Sequence, residues 1–409
     1  MIDLACKKDF PIFEHLHPSG KPFVYLDSAS TSQKPRQVLK AITAFYEKDC
    51  ANVHRGVYAL ADRSTQAFED ARLTIASFFK VPASALLLTR NTTEALNWIV
   101  PMWLADRLDS TKSMIVTEME HHSNFVPWQE ICRKTGARLK VVSVREDGTL
   151  DLDHLETLMD FSVVAIAVSH VSNVLGTLNP IQQIQKIAQH YGAEVIVDGA
   201  QSAPHLPIDF QESGVAFFAF SGHKMLGPMG IGGLLVRPDV LKVCRPALFG
   251  GGMIDQVGMD QTTFADIPDK FIPGTPDVAS AVGLASACTY LTHLGMEKVR
   301  DHDASLVRVG LETLRSLPDV KIIGTLDVAQ RVGSVAFLYA GVHGHDVAQI
   351  LDSQGIAVRS GHHCTMPLHK KFGWPATVRA SFSVYNSEQD LHALAEGLSK
   401  VRSIFRKNA

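Results

Sequence analysis

Apolar runs and segments of helical period alternate along the chain up to about residue 290. The run at 163–168 consists of Val, Ile and Ala, which is typical of a strand buried on both faces. The segment at 179–192 begins with Asn-Pro, places isoleucines at helical spacing and ends with glycine, which predicts a helix capped by Asn179. Strands that alternate with helices in this way predict an α/β fold, with a mainly parallel, mixed sheet flanked by helices.

Beyond about residue 295 the pattern changes to short strands at wider spacing, which predicts a smaller α+β domain. The predicted strands there are 320–323, 334–338, 356–358 and 378–384, and the predicted helices are 345–353 and 388–405. We therefore divide the chain into an N-terminal segment (1–20) that packs on the small domain, a large domain (21–294) and a small C-terminal domain (295–409).

Composition excludes several classes of protein. With 409 residues, 46% of them hydrophobic and 20% charged, the chain has the make-up of a globular protein. A net charge of −3 provides no field for nucleic acid or a membrane surface, and we expect neither as a partner. The N-terminus is charged where a signal peptide is apolar, so we expect a cytoplasmic protein. The six cysteines form no Cys-x-x-Cys pair, which argues against a disulfide framework and against a zinc ribbon.

The stretch at 217–233 provides the first candidate for chemistry. An apolar run predicts a buried strand, and a glycine-rich turn directly after it places Ser221, His223 and Lys224 at the carboxyl end of that strand. Partial desolvation lowers the pKa of a lysine in such a place, so that it can form a Schiff base with an aldehyde cofactor. The alternative is a surface lysine in a turn, but Ser221 and His223 beside it are suitable phosphate donors.

Other polar residues follow predicted strands. Asp198 ends a Val/Ile strand, where a buried carboxylate needs a cationic partner unless it only caps a turn. Thr92 and Thr93 open a helix whose free N–H groups could bind phosphate, although plain N-capping is the alternative. Asn173 follows the strand at 163–168, where it could hydrogen-bond a ligand oxygen.

The sequence Ser-Gly-His-Lys at 221–224 is similar to that of fold-type I pyridoxal-phosphate (PLP) enzymes, in particular the class-V aminotransferase family. The resemblance implies that Lys224 carries PLP, that His121 stacks on the pyridine ring and that Asp198 faces its nitrogen. It places Gln201 on the phenolic oxygen. The implied phosphate ligands are Thr93 with Thr92 beside it, Ser221, His223 and, across a homodimer, Thr275 of the neighbouring subunit.

Cys364 lies in the second informative stretch, Arg-Ser-Gly-His-His-Cys at 359–364. A lone cysteine is usually a buried small hydrophobic residue, and a metal site with His362, His363 and His369 is a further alternative. We rank the metal lower because three consecutive ligands do not converge easily on one ion. This motif resembles the group II (SufS/CsdA-type) cysteine desulfurases, in which the cysteine accepts a persulfide, and a thiol near cationic groups could be held partly as thiolate.

Arg379 lies in a predicted buried strand, where a guanidinium needs an anion. A structural salt bridge is one possibility; the resemblance implies instead that it binds the carboxylate of an amino acid, with Arg359 in support. The resemblance also places His54 and Arg55 at the substrate entrance. This chain has Ile272-Pro273 before Gly-Thr-Pro, where many family members have an acidic residue and alanine, so the contacts of that loop are expected to differ.

The resemblance as a whole implies conversion of L-cysteine to L-alanine with a persulfide on Cys364. Lys224 would remove the Cα proton, and a SufE-like or SufU-like protein would take the sulfur, for iron–sulfur cluster assembly. One alternative is selenocysteine lyase, since selenolate is a better leaving group and does not need the thiol. Weaker alternatives are a transaminase or other class-V lyase, and a non-catalytic scaffold of the same fold.

Overall fold

The computed structural model describes residues 4–54 and 56–406, so the predicted site residue Arg55 lies outside the described residues. Its β-strands are β1 Val24–Tyr25, β2 Leu86–Thr89, β3 Ser113–Thr117, β4 Arg138–Val142, β5 Val163–Ser169, β6 Glu194–Asp198, β7 Phe217–Ser221, β8 Gly232–Val236, β9 Ile254–Val257, β10 Thr262–Phe264, β11 Val320–Ile323, β12 Ser334–Tyr339, β13 Ile356–Ala357, β14 Arg359–Gly361 and β15 Thr377–Ser381.

α-Helices connect most of the consecutive strands. The α-helices are α1 Arg36–Lys48, α2 Ala59–Phe78, α3 Thr92–Ile99, α4 Val126–Thr135, α5 Leu152–Leu158, α6 Ile181–His190, α7 Phe210–Ser213, α8 Pro238–Lys242, α9 Val278–Leu294, α10 Met296–Arg315, α11 Gly344–Asp352, α12 Met366–Phe372 and α13 Glu388–Arg406. Short 3-10 turns include Leu4–Asp9, Pro11–Glu14, His122–Asn124 and Gly222–Lys224. None of the described helices has the length and apolar character needed to cross a lipid bilayer.

The large sheet has seven strands in the order β2-β8-β7-β6-β5-β3-β4. Strand β8 runs antiparallel to both its neighbours, β2 and β7, and the remaining pairs are parallel. The predicted mainly parallel, mixed sheet is therefore confirmed. Because side chains alternate along a strand, Ile115 joins the core on one face while Met114 and Val116 join the core on the other.

One predicted cap is wrong. Helix α6 spans Ile181–His190, and the Asn179 side chain does not cap it. The Asn179 amide instead donates to the carbonyl oxygen of Ser169, ten positions earlier, at 2.7 Å, a contact that the helix-start pattern does not indicate.

The second sheet is antiparallel, with four strands in the order β11-β12-β15-β14. Helices α10, α11 and α13 supply the apolar side chains that pack against it. The predicted strand 378–384 is shorter in the structure, Thr377–Ser381, because Ser383 and Asn386 form a turn in which the Ser383 N–H donates to the Asn386 side chain at 2.9 Å.

A short strand near the N-terminus pairs with a strand of the predicted small domain. Strand β1 pairs in parallel with β13, although the predicted division assigns residues 24–25 to the large domain and residues 356–357 to the small one. Phe10 is fully buried, with its ring 4.8 Å from that of Tyr385 and 6.0 Å from that of Tyr290. Segments from both ends of the sequence thus line the same region of the molecule.

Candidate active site

Strands β2, β3, β5, β6 and β7 run in the same direction and end at one edge of the large sheet, where open α/β sheets bind ligands. A cavity of about 240 Å³ opens at this edge. Among the residues that line it are Thr92, Thr93, His121, Asn173, Asp198, Gln201, Ser221, His223, Lys224, Arg359, Cys364 and Arg379. The structure therefore brings together most of the predicted site residues.

Two predicted residues lie outside this cavity. The Thr275 hydroxyl donates to the Asn52 side chain at 3.2 Å on the exposed surface. The backbone N–H of His54 donates to the Thr65 hydroxyl at 2.9 Å. Within one subunit, therefore, neither contributes to the cavity wall.

Lys224 ends the 3-10 turn that directly follows β7, as its sequence position predicts. Burial lowers the pKa of Lys224 to about 8, and the Asp198 carboxyl opposes that shift only in part. A substantial fraction of this amine is therefore neutral near physiological pH, which is the form that attacks a carbonyl carbon.

Asp198 is buried at the end of β6, and its Oδ1 accepts the Ala200 N–H at 2.9 Å. Burial raises the pKa of this carboxyl group. The charge of Lys224, in the same cavity, offsets this rise only in part, so the burial of Asp198 still favours a further cationic partner. A cationic group of a ligand in the cavity would be such a partner.

The N-terminus of α3 forms one wall of the cavity. Asn91 caps the helix by accepting the Glu94 N–H, so Thr92 and Thr93 are not the capping residues. The Thr92 N–H donates to the Ser221 hydroxyl at 2.9 Å, and the hydroxyl groups of Thr92 and Ser221 lie 2.7 Å apart. Hydroxyl and N–H groups at the positive end of a helix are typical ligands of a phosphate.

His121 follows β3. Its Nδ1 accepts the Ser123 N–H at 3.1 Å, which places the proton of the neutral ring on Nε2. Burial, together with the positive charge of Lys224, lowers the pKa of His121 to about 3. The imidazole is therefore a neutral ring at physiological pH, suited to lie against an aromatic cofactor.

Gln201 and His223 complete this side of the cavity. The Gln201 side chain donates one amide hydrogen to the carbonyl oxygen of Ala29 at 2.8 Å, and the amide group has a second hydrogen for a ligand. Burial and the charge of Lys224 lower the pKa of His223 to about 4, so its ring is neutral too.

Two guanidinium groups also line the cavity. Arg379 is buried and donates to the Asp27 carboxyl at 3.0 Å and to the Asn173 carbonyl oxygen at 2.7 Å. Arg359, its partner across β14 and β15, donates to the Ser30 hydroxyl at 2.7 Å and forms no ion pair with a carboxylate of the described chain. One carboxylate thus faces two cations, which leaves this part of the cavity wall positively charged and suited to bind a carboxylate.

Cys364 is partly exposed and lies in a tight turn, in which the Thr365 N–H donates to the His362 carbonyl oxygen at 2.9 Å. The two central residues, His363 and Cys364, have φ of +48° and +59°. Such backbone conformations cost non-glycine residues of order 1–3 kcal/mol each and are enriched at functional sites. The turn is held by the Asn173 amide, which donates to the His363 carbonyl oxygen at 2.7 Å, and by the His122 N–H, which donates to that of Cys364 at 2.8 Å.

The metal alternative at this turn has no geometric support in the described chain. His363 Nε2 lies 3.1 Å from the Thr377 carbonyl oxygen, and His369 Nε2 lies 3.1 Å from the Thr377 hydroxyl. Among the residues described, no group of three or more His, Cys, Asp or Glu side chains is placed to hold a metal ion.

Some cavity residues were missed by the sequence reasoning. Ser123, whose hydroxyl lies 2.7 Å from that of Thr93, directly follows the Glu-His-His stretch. Ser30 lies in the small-residue turn at 28–32, and its hydroxyl accepts from both arginines. Ser123 lies two residues after the predicted His121, and the run of small residues at 28–32, which lets a turn lie close to a ligand, is the signal for Ser30.

The arrangement fits PLP. The α3 N-terminus matches its phosphate, the buried carboxyl of Asp198 matches a protonated ring nitrogen, the neutral His121 ring matches its face, and the Lys224 amine matches its aldehyde. A cavity with these groups at the carboxyl edge of a mixed sheet defines the class of fold-type I PLP enzymes.

Within this class, residues 24–394 match the family model described as aminotransferase class-V, and the chain belongs to that family of PLP-dependent enzymes. A probable cysteine desulfurase from Streptomyces coelicolor is 44% identical over 406 residues, 98% of this chain and 97% of that protein. The apo structure of a cysteine desulfurase from Thermococcus onnurineus NA1 has a TM-score of 0.93 at 35% identity, covering 98% of both chains. The crystal structure of the cysteine desulfurase CsdA (S-sulfonic acid) from Escherichia coli has a TM-score of 0.90 at 33% identity, covering 99% of both chains. The predicted fold, family and cofactor are confirmed.

Proposed function

We propose that this chain is a cysteine desulfurase that converts L-cysteine to L-alanine and transfers the sulfur to Cys364. The observation that carries the proposal is that Lys224 and Cys364, 140 positions apart in sequence, line one cavity with a positively charged wall. The names of the similar proteins support the same activity.

The transfer balances without an added oxidant. L-cysteine and the Cys364 thiol give L-alanine and a Cys364 persulfide: the C–S bond of the substrate breaks, and an S–S bond forms at Cys364. Of the two thiol protons, one is delivered to Cβ, which becomes the methyl group of alanine, and the other remains on the terminal sulfur of the persulfide; the Cα proton is removed and then returned. Attack by Cys364 requires its thiolate, and Arg359 and Arg379 provide positive charge in the same cavity.

The other residues act by binding and proton transfer. Arg379 and Arg359 bind the substrate carboxylate, and Asn173 orients the Cys364 turn through the His363 carbonyl oxygen. PLP, when bound, provides an electron sink for the charge left when the Cα proton departs. Lys224, with its pKa near 8, is a suitable base for that proton, and His121, which lines the same cavity, would transfer protons there.

Several finer features belong to the same proposal. Cys364 is partly exposed, so its persulfide is open to attack by the thiol of a SufE-like or SufU-like acceptor, for iron–sulfur cluster assembly in the cytoplasm. We also propose that the chain acts as a homodimer in which Thr275 reaches the PLP phosphate of the partner, and that His54 and Arg55 lie at the substrate entrance.

The test supplies PLP-loaded protein with L-cysteine and quantifies alanine and protein-bound sulfane sulfur. We expect Lys224→Ala to lose both products and Cys364→Ser to lose both by at least about a hundredfold, because nucleophile removal typically has effects of this size or greater. Cys50→Ser, which removes another exposed thiol, is the matched control and should match wild type.

A parallel assay with L-selenocysteine separates the alternative activity. Loss of sulfur release with retention of selenide release in Cys364→Ser supports the desulfurase. If Cys364→Ser retains full activity on both substrates, the chain is a selenocysteine lyase; if wild type produces no alanine from either, the proposed function is wrong.

A further inference from the structure

The carbonyl oxygen of His223, in the peptide bond that leads into Lys224, is a meeting point for donors from one short stretch near the N-terminus. Ser32 donates to it from its backbone N–H at 2.9 Å and from its hydroxyl at 3.0 Å. The Thr31 hydroxyl donates at 3.1 Å, and the Lys34 ammonium donates at 3.0 Å. A carbonyl oxygen has two lone pairs, so this convergence exceeds what simple satisfaction of a buried acceptor requires. We call Thr31, Ser32 and Lys34 the 223 clamp.

The 223 clamp also holds the far side of the same turn. The Ser32 hydroxyl, which donates to the His223 carbonyl oxygen, accepts the Leu226 N–H at 2.9 Å. Leu226 has a φ of +66°, a conformation that a leucine rarely adopts without support from its surroundings. The 223 clamp therefore grips both ends of the turn that carries Lys224.

Lys34 is the member of the 223 clamp that is hardest to explain as a purely structural residue. Its side chain is half-buried, and its ammonium donates to the carbonyl oxygens of Ser32 and His223. No carboxylate of the described chain pairs with it, and burial lowers the pKa of Lys34 to about 8. A partly desolvated ammonium held by carbonyl oxygens alone is costly, and hydrogen bonds from a charged donor are stronger than neutral ones.

We propose that Lys34 is a positioning residue that fixes the main chain at Lys224 through the His223 carbonyl oxygen and so directs the Lys224 amine at PLP. The proposal rests on the proposed role of Lys224 as the reactive lysine. An error of about 1 Å in the placement of a reacting group can cost about a hundredfold in rate, so an anchor one peptide bond from Lys224 affects the chemistry without touching the substrate.

The test compares PLP-loaded wild type with Lys34→Met, which keeps the length of the side chain and removes its donors. Lys34→Arg retains a cationic donor, and Lys40→Met, at an exposed position of α1, is the control for removal of a lysine. Three quantities are measured for each: hydrogen exchange of the peptide covering residues 222–227, the rate of PLP uptake by protein stripped of it, and kcat and KM for L-cysteine.

For Lys34→Met we expect exchange at 222–227 to accelerate about tenfold, PLP uptake to slow, and kcat to fall about tenfold or more with KM little changed. Lys34→Arg should restore exchange, PLP uptake and kcat most of the way to their wild-type values, and Lys40→Met should match wild type in all three. Unchanged exchange and kcat in Lys34→Met would overturn the proposal, as would faster exchange throughout the chain with a matching loss of thermal stability. Exchange and PLP uptake do not depend on desulfurase activity, so an inactive wild type would count against the proposed function alone.

Discussion

Glu120 shows how much one buried residue can affect this site. It is fully buried beside His121 and accepts hydrogen bonds from the Thr117 hydroxyl at 2.6 Å, and from the Asn124 amide and the Ser169 hydroxyl at 2.5 Å each. None of the described cations forms an ion pair with it. Burial outweighs these hydrogen bonds and raises the pKa of Glu120 to about 7. Its charge therefore changes near physiological pH, behind the wall of the cavity.

The free energy of unfolding depends on pH because the pKa of Glu120 differs between the folded and unfolded states. The unfolded carboxyl has a pKa of roughly 4.3, so the folded state holds the proton more tightly. The stability from this group is fully present below about pH 4 and is lost as pH rises through 7, by about 4 kcal/mol in all. Glu120→Gln should lack this loss, so its free energy of unfolding should rise relative to wild type between pH 5 and pH 8.

Denaturant unfolding at several pH values measures this difference. Glu47→Gln, at an exposed position of α1, provides the control, with a profile parallel to that of wild type. If the Glu120→Gln profile is also parallel to that of wild type, the carboxyl is ionised throughout and the hydrogen bonds, not burial, decide its state.

At the scale of elements, the N-terminus of α3 combines a cap and a candidate phosphate cradle. Asn91 caps the helix, and the next two residues face the cavity. Strand β8 packs closely behind the cap, because a Cβ at Gly232 would lie 2.4 Å from the Phe220 carbonyl oxygen and 3.0 Å from the Asn91 Cα. The strand and the helix start therefore fit each other only with glycine at 232.

Asn91→Ala should cost about 1 kcal/mol of stability, the usual value of a side-chain cap. It should also weaken PLP binding, because the first turn of α3, which orients Thr92 and Thr93, would fray. Thermal unfolding and PLP titration of the stripped protein measure the two effects.

The matched control is Asp151→Ala, which removes the side-chain cap of α5. This helix does not reach the cavity. It should lose similar stability with unchanged PLP affinity. Equal PLP affinity in all three proteins would show that the α3 cap has no part in the cradle.

At the scale of the whole molecule, the N-terminal segment joins both ends of the chain to the site. Phe10 packs on Tyr385, and the Tyr385 hydroxyl lies 2.7 Å from that of Ser28 and accepts the Gln33 N–H at 3.2 Å. Residues 28–34 in turn supply Ser30 to the two arginines and Lys34 to the His223 carbonyl oxygen. A residue far from the cavity thus supports two of its walls.

Phe10→Ala should therefore lower the free energy of unfolding by about 3–5 kcal/mol, as truncation of a buried phenylalanine does. Because residues 28–34 lose support as well, KM for L-cysteine should rise. Leu16→Ala, whose side chain is 67% exposed, should leave both quantities nearly unchanged. A stability loss below about 1 kcal/mol would mean that the segment does not hold the two ends together.

Local patterns in the sequence predicted a large part of the fold and the site. The apolar run before Ser221 specifies β7, and the turn directly after it leaves Lys224 no place but the carboxyl edge of the sheet. The same reasoning placed Asp198 and Asn173, because a strand and the residue that ends it are neighbours in the chain. The resemblance to a known family added the roles of Cys364, His121 and Gln201, which no local pattern indicates.

Tertiary structure alone decided the contacts between residues distant in sequence. These include the pairing of β1 with β13, the ion pair of Asp27 with Arg379 and the convergence of the 223 clamp on the His223 carbonyl oxygen. Hydrophobic period and turn chemistry act over a few residues, so they determine elements and the groups at their ends. Which of these groups meet depends on how whole elements pack, and that depends on burial summed over the entire chain.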